Sequence, residues 1–160
     1  MAASDLIKND PIVASNFYLE LDGVKVATLS EVSGLDIEVE VVEIKQATEG
    51  GIYVNAKTLG QAKPPGDLTV KRVAPVDMDK DPLWKWFNDI RDKGMGIMAR
   101  ADHRKNGSVV VYDTANTEVS RWNFFNAWPS KIATDSFSAT STEAVSETIT
   151  LSIERLERKK

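Results

Sequence analysis

The run Arg121-Trp122-Asn123-Phe124-Phe125-Asn126-Ala127-Trp128-Pro129 constrains the fold more than any other stretch of the chain. It holds two of the four tryptophans and two of the five phenylalanines. Each large aromatic side chain can bury about 150–250 Å², so the core has to be built around this segment. Read as a strand, it places Trp122, Phe124, Asn126 and Trp128 on one side and Arg121, Asn123, Phe125 and Ala127 on the other. Aromatic area on both faces predicts a central framework strand; a ligand-stacking strip is the alternative. The two asparagines sit where strand propensity alone would not place them.

Composition narrows the chemistry. The 160 residues fit one domain spanning 1–160, and 42% hydrophobic with 28% charged residues is a globular balance. No apolar run approaches the ~20 residues of a membrane helix, and residues 1–11 lack the pattern of a secretory signal. There is no cysteine, which excludes disulfides and thiolate chemistry. The one histidine, His103, excludes a multi-histidine metal site and is expected to be an exposed strand-end residue. No catalytic, cofactor-binding or metal-binding constellation is expected. A net charge of −4 gives no indication of general nucleic-acid affinity.

Several strands are legible. Phe17, Leu19 and Leu21 alternate, and Asp22-Gly23 before Val24 signals a hairpin. Leu35 to Val41 alternates with Asp36, Glu38 and Glu40, and the apolar parity flips at Val41-Val42, as at a β-bulge. That acidic face reads as solvated or facing a lumen rather than catalytic. The segment 46–66 is longer than an ordinary loop. It carries Ile52, Tyr53, Val54 and Leu59 between glycines and prolines, and predicts an extended flap or hairpin whose apolar side chains form a binding edge. Asp67 to Val73 reads as a strand.

Asp81 as N-cap and Pro82 at the first position predict a helix over about 82–93. Its stripe is Leu83, Trp86, Phe87 and Ile90, with Trp84 at the helix edge or against a neighbouring chain, and Gly94 as the left-handed C-cap. Asn106-Gly107 predicts a turn between strands at 97–103 and 108–112. Residues 129–144 read as a loop with a short strand at Ile132. The last strand is expected over Val145 to Leu156, with Val145, Ile149, Leu151 and Ile153 on one face and Thr148, Thr150 and Ser152 among the hydroxyls on the other. Residues 1–15 read as an arm that needs a partner surface, and 155–160 as a frayed basic tail.

These elements predict a mainly β fold. It is an antiparallel sandwich or barrel of about seven to eight strands, with one covering helix and the long flap. Trp86, Phe87, Trp122, Phe124 and Trp128 are the expected core framework. The bulged acidic strand, the flap and the arm are awkward for a monomer, and make sense where edges pair with identical neighbours.

The residues that carry a family resemblance are Asn16 to Gly23, Ser30-Glu31-Val32-Ser33-Gly34-Leu35, Gly66 to Arg72, the Leu83-Trp84-Lys85-Trp86 helix start, Arg121 to Pro129, Ser146 to Leu151 and Glu154 to Arg158. On them the chain resembles the tail tube proteins of contractile phage tails, R-type tailocins and extracellular contractile injection systems, over about residues 11–158. The resemblance implies a fold similar to the haemolysin-coregulated protein of type VI secretion. It implies a non-enzymatic subunit whose homohexameric rings stack into a hollow inner tube, driven through a target envelope when the sheath contracts.

The implied partners are further copies of the chain, a sheath protein, baseplate or tube-initiator proteins, a tape-measure protein, and cargo or DNA in the lumen, with no membrane insertion of its own. Assembly in the bacterial cytoplasm and presence in the finished particle, virion tail or released injection system, are implied too. Inter-subunit contacts are carried over at segment level onto the arm, including Pro11, and onto Ile52, Tyr53, Val54 and Leu59. Two rows are candidates for the lumen wall: the acidic Asp36, Glu38 and Glu40, and the hydroxyl row Thr148, Thr150 and Ser152. The alternative function is a monomeric small-ligand-binding β-barrel.

Overall fold

The computed structural model describes residues 16–94 and 100–160. Among the described residues ten strands run in chain order: β1 (Asn16–Leu21), β2 (Val24–Thr28), β3 (Glu31–Ser33), β4 (Val39–Ala47), β5 (Tyr53–Ala62), β6 (Leu68–Val73), β7 (Lys105–Tyr112), β8 (Glu118–Thr134), β9 (Ser146–Ser152) and β10 (Arg155–Arg158). Helix α1 (Pro82–Lys93) follows a 3₁₀ turn at Met78–Lys80, and a one-turn helix α2 (Arg100–His103) precedes β7. The expected arm, with Pro11, lies outside the described residues, as do residues 97–99 of the expected strand.

Eight strands form one antiparallel sheet in the order β2-β1-β7-β8-β9-β6-β3, with β10 also paired to β8. Strand β8 serves two halves. Its first part pairs with β7 and β10, and its second part with β9. The ends of the path, β2 and β3, are joined by Leu29 and Ser30. The Leu29 N–H donates to the Phe17 carbonyl and the Ser30 N–H to the Lys71 carbonyl, so the chain itself spans the gap between the halves. Leu19, Leu21, Val109 and Phe124 from one half meet Leu68, Val70, Ile149 and Leu151 from the other. Leu83 and Trp86 of α1 close the same core.

Local signals set the first hairpin and the helix. Asp22 (φ 49) and Gly23 (φ 80) make the left-handed pair of a type I′ turn, and Leu21 faces Val24. The Asp81 carboxylate accepts the Trp84 N–H at 2.9 Å, Pro82 occupies the first turn, and Gly94 ends the helix with its N–H on the Ile90 carbonyl. Of the expected stripe, Leu83 and Trp86 are buried and Ile90 packs on the core. Phe87 is half-buried and turns to Trp84, whose ring it meets edge-on at 6.2 Å.

Several expectations are corrected. The period of β8 breaks at Asn126, which is left-handed (φ 52) and exposed. Trp122 therefore stays on the core side with Phe124, opposite Val109, whereas Trp128 stands opposite Ser152 while Ala127 and Pro129 point inward. Trp122 and Trp128 are both half-buried against the core. Asn126 is the corner at which the strand passes from one half to the other. Its N–H donates to Asn106 Oδ1 and its side-chain amide to Glu154.

Asn106-Gly107 is not a turn but lies inside β7, and residues 100–103 form α2. A Cβ on Gly107 would meet the Phe124 ring and the Glu20 carbonyl oxygen, each at 2.4 Å. The glycine is there because an aromatic ring and a neighbouring strand crowd its Cα. His103 is half-buried on α2, and its carbonyl accepts the Trp86 indole N–H at 2.6 Å. The expected loop 129–144 belongs to β8 as far as Thr134. The last strand divides into β9 and β10. The expected frayed tail is paired: Arg155 to Arg158 face Phe125 to Trp122, and the Lys159 N–H donates to the Arg121 carbonyl.

Candidate assembly surface

Strands β4 and β5 pair with each other and, among the described residues, with no other strand. The acidic strand is thus one arm of the flap, which is a hairpin over 39–62 where 46–66 was expected. Leu35 to Glu38 precede it without strand structure. The bulge is also displaced. Val39 faces Ala62 and Val41 faces Leu59, so the extra residue lies on β5 near Gly60, not at Val41-Val42. A glycine suits that position, because its Cα lies close to Glu40 and Val42.

Directly opposed residues share a face. One face of the hairpin carries Val42, Ile44, Val54 and Ala56. The other carries Val41, Leu59 and Tyr53 around the exposed Glu43–Lys57 pair at 3.5 Å. Every residue of β4 is exposed, and Tyr53, Leu59 and Ile52 are 76%, 78% and 66% exposed. An isolated two-stranded hairpin is marginal in water. This one shows apolar side chains on both faces and packs neither against its own core. Large exposed apolar patches mark association surfaces. The β-branched, alternating sequence makes the strands, and nothing among the described residues buries them.

The expected site residues divide accordingly. Ile52, Tyr53, Val54 and Leu59 cluster at the hairpin. Asp36, Glu38 and Glu40 sit at its base, all exposed, with Glu38 paired to Lys63 at 2.6 Å. Thr148, Thr150 and Ser152 lie elsewhere, half-exposed on the outer face of β9.

A buried polar cluster joins the sheet to the helix, and of its members only Asp81 carried a sequence signal for its place, as the expected N-cap. Arg72 and Glu147 are cross-strand partners on β6 and β9, both buried. Arg72 donates two parallel 2.7 Å bonds to Asp81 and two longer ones, at 3.2 and 3.3 Å, to Glu147. Trp84, expected at the helix edge or a neighbouring chain, donates its indole N–H to Glu147 at 3.0 Å. The start of α1 is thereby clamped to the sheet.

For Asp81, burial is the largest influence and opposes ionisation. The Arg72 hydrogen bond, the Trp84 N–H and the Arg72 charge together outweigh it and hold the carboxyl below its ordinary value. A pKa depressed on folding means that the folded state releases the proton more readily, so its stabilisation is complete above the unfolded value and lost as pH falls through the folded one. Thermal melting should therefore drop steeply below about pH 4, and Asp81→Asn should flatten that acid limb, as melts across the acid range would show. A limb of the same steepness in the variant would place the effect elsewhere. On the outer face, Arg121 joins Glu118 and Glu20; its bond to Glu118 raises the guanidinium and lowers the carboxyl.

Among the described residues, no group of three or more His, Cys, Asp or Glu side chains is arranged to hold a metal ion. No described helix is long and apolar enough to cross a membrane. The inner face of the sheet is filled by Leu19, Phe124, Leu68 and Leu151, where a small-ligand barrel would need a cavity.

A family model described as "T4-like virus tail tube protein gp19" matches residues 13–157. Among solved structures, a chain of the PVC sheath-tube complex, an extracellular contractile injection system in its extended state, is 25% identical with a TM-score of 0.71. The match covers 99% of this chain and 98% of that one. A chain of the tube-terminating cap of the anti-feeding prophage AFP is also 25% identical with a TM-score of 0.71, covering 94% of this chain and 92% of that one. Hcp1 from Flavobacterium johnsoniae shares the fold at 15% identity and a TM-score of 0.51, covering 89% of this chain and 94% of that one. No curated protein sequence matches.

Proposed function

The chain belongs to the T4-like virus tail tube protein family, and on that premise we propose that it is the inner-tube subunit of a contractile injection system or phage-tail-like particle. Homohexameric rings of the chain stack into a hollow tube, which a contracting sheath drives through a target envelope. The observation that supports this reading is the β4–β5 hairpin, which among the described residues pairs with no other strand and leaves apolar side chains exposed on both faces, surface that neighbouring copies of the chain would cover.

The subunit acts by shape and not by catalysis. Its further partners are the sheath, as in the PVC relative, the baseplate, a tape-measure protein and whatever passes through the lumen. It is made in the bacterial cytoplasm and resides in the assembled particle.

Native mass measurement and electron microscopy of the purified chain should show hexamers or stacked rings. A stable monomer that never assembles, even with sheath and baseplate components, would overturn the reading. Replacing Tyr53 and Leu59 together by Asp should abolish rings while leaving the melting temperature of the subunit within a few degrees of wild type, because surface substitutions away from the core usually change stability by less than about 0.5 kcal/mol. Rings of normal yield would remove the hairpin from the interface.

A further inference from the structure

Asn106-Gly107 has the form of a turn but sits inside β7, so each residue is there for another reason. Between the pairs Lys105–Ala127 and Gly107–Phe124, β8 carries one residue more than β7, and Asn126 is left-handed at that place (φ 52). Asn106 Oδ1 accepts the Asn126 N–H at 3.0 Å, so the Asn106 side chain supplies the acceptor at the corner. Gly107 has no Cβ because the Phe124 ring and the Glu20 carbonyl oxygen leave no room for one. Together the two requirements produce the dipeptide in which an asparagine is chemically least protected. The backbone nitrogen of the following residue is what attacks an asparagine amide, and a Cβ on that residue obstructs the approach. Of the asparagines in the sequence, Asn106 alone precedes a glycine.

We propose that Asn106 is a latent deamidation site which the fold closes, and that the reaction withdraws copies of the chain that remain unfolded from the pool able to fold. In the unfolded chain the Gly107 nitrogen gives its proton to solvent base and bonds to Asn106 Cγ. The amide nitrogen takes up a proton and leaves as ammonia. Water then opens the cyclic imide. Opening at Cγ gives aspartate; opening at the former backbone carbonyl gives isoaspartate, whose main chain is one carbon longer.

The folded subunit prevents ring closure by geometry and not by excluding water, since Asn106 is exposed. Closure requires rotation about the bond from Asn106 Cα to its carbonyl carbon, which a strand holds extended at ψ of about +135°. Gly107 is paired to Leu21 of β1 and to Phe124 of β8, and the Asn106 carbonyl accepts the Asp22 N–H at 2.9 Å. Rotation would pull β7 away from both neighbours. The two products differ in what they spoil. Aspartate at 106 keeps an oxygen for the Asn126 N–H. Isoaspartate displaces every later residue of β7 against β1 and β8, including the fully buried Val109 and Val110, and a strand out of register presents the wrong face to the core. The inference goes beyond the tube reading and does not depend on it.

The full chain is held in mildly alkaline buffer, with and without guanidinium chloride, and sampled over time. Tryptic peptides beginning at Asn106 are sequenced by mass spectrometry, which separates this residue from Asn116, and the aspartate and isoaspartate forms are resolved by chromatography. The expected result is conversion in denaturant, with the native chain reacting at least about a thousandfold more slowly, because only its unfolded fraction is reactive. A native rate within tenfold of the denatured one overturns the closure by the fold. On dilution from denaturant, isoaspartate should be depleted from the refolded fraction and enriched in the aggregate; equal distribution overturns the withdrawal. Asn106→Ser, which has no amide to lose, should keep its own initial refolding yield during the same hold, whereas wild type declines in step with isoaspartate. A matching decline in the variant would trace the loss to another lesion. Asn106→Asp should refold like wild type, and its failure would assign the damage to charge instead of the lengthened backbone.

Discussion

Arg72→Ala is expected to destabilise the subunit by about 3–5 kcal/mol, the cost of removing one partner from a buried ion cluster. At about 2–4 °C per kcal/mol for a domain of this size, that is a fall of roughly 6–20 °C in melting temperature. The loss comes from what stays behind. Asp81 and Glu147 are both buried, and without the guanidinium, among the described residues, Asp81 keeps backbone N–H donors alone and Glu147 the Trp84 indole. Arg72→Met with Glu147→Leu should recover part of the loss, because one stranded carboxylate is removed and the methionine fills the space. Denaturant unfolding of the single and double variants measures the coupling. If Arg72→Ala lies within about 1 kcal/mol of wild type, as a solvent-accessible pair would, the cluster is not what clamps α1.

Phe124→Ala is expected to cost a similar amount, about 3–5 kcal/mol, from lost burial and the cavity left behind. The ring is fully buried and lies against the bare Cα of Gly107. Trp122, which sequence alone ranks beside it, is half-buried under Arg158, 5.6 Å from its ring, and Trp122→Ala should cost less. Gly107→Ala tests the same contact from the other side. In a Phe124→Leu background its penalty should shrink but not vanish, because the Glu20 carbonyl oxygen would still stand 2.4 Å from the new Cβ. Urea unfolding of the four-variant cycle would show it. A Gly107→Ala penalty independent of residue 124 would mean that the ring yields and only the backbone is crowded.

The residues that sequence placed correctly share one property: their signals are local. Asp22-Gly23 dictates its turn through two left-handed residues. Asp81-Pro82 dictates a helix start through one side chain and its own first turn. Asn106-Gly107 has the same form as a turn signal and is not one, because the reason for its glycine is a phenylalanine on the next strand. Asn126 looked misplaced in an aromatic strand and is the corner between the two halves of the sheet. The hairpin was half legible: its apolar, two-sided composition predicted an edge seeking a partner, but its pairing with the acidic strand did not show.

The mainly β character of the chain and the starts of its first hairpin and its main helix were legible in the sequence alone. All of these follow from contacts within a few residues or from the two-residue period of a strand. Only the tertiary structure decided that Arg72 meets Glu147 across 75 residues, that β8 bends at Asn126 and carries Trp128 away from Trp122, and that β4–β5 stands apart from the core. The physical reason is register. Which residues face one another across a sheet depends on how whole strands align, and a single strand's alternation states its faces but not its neighbours.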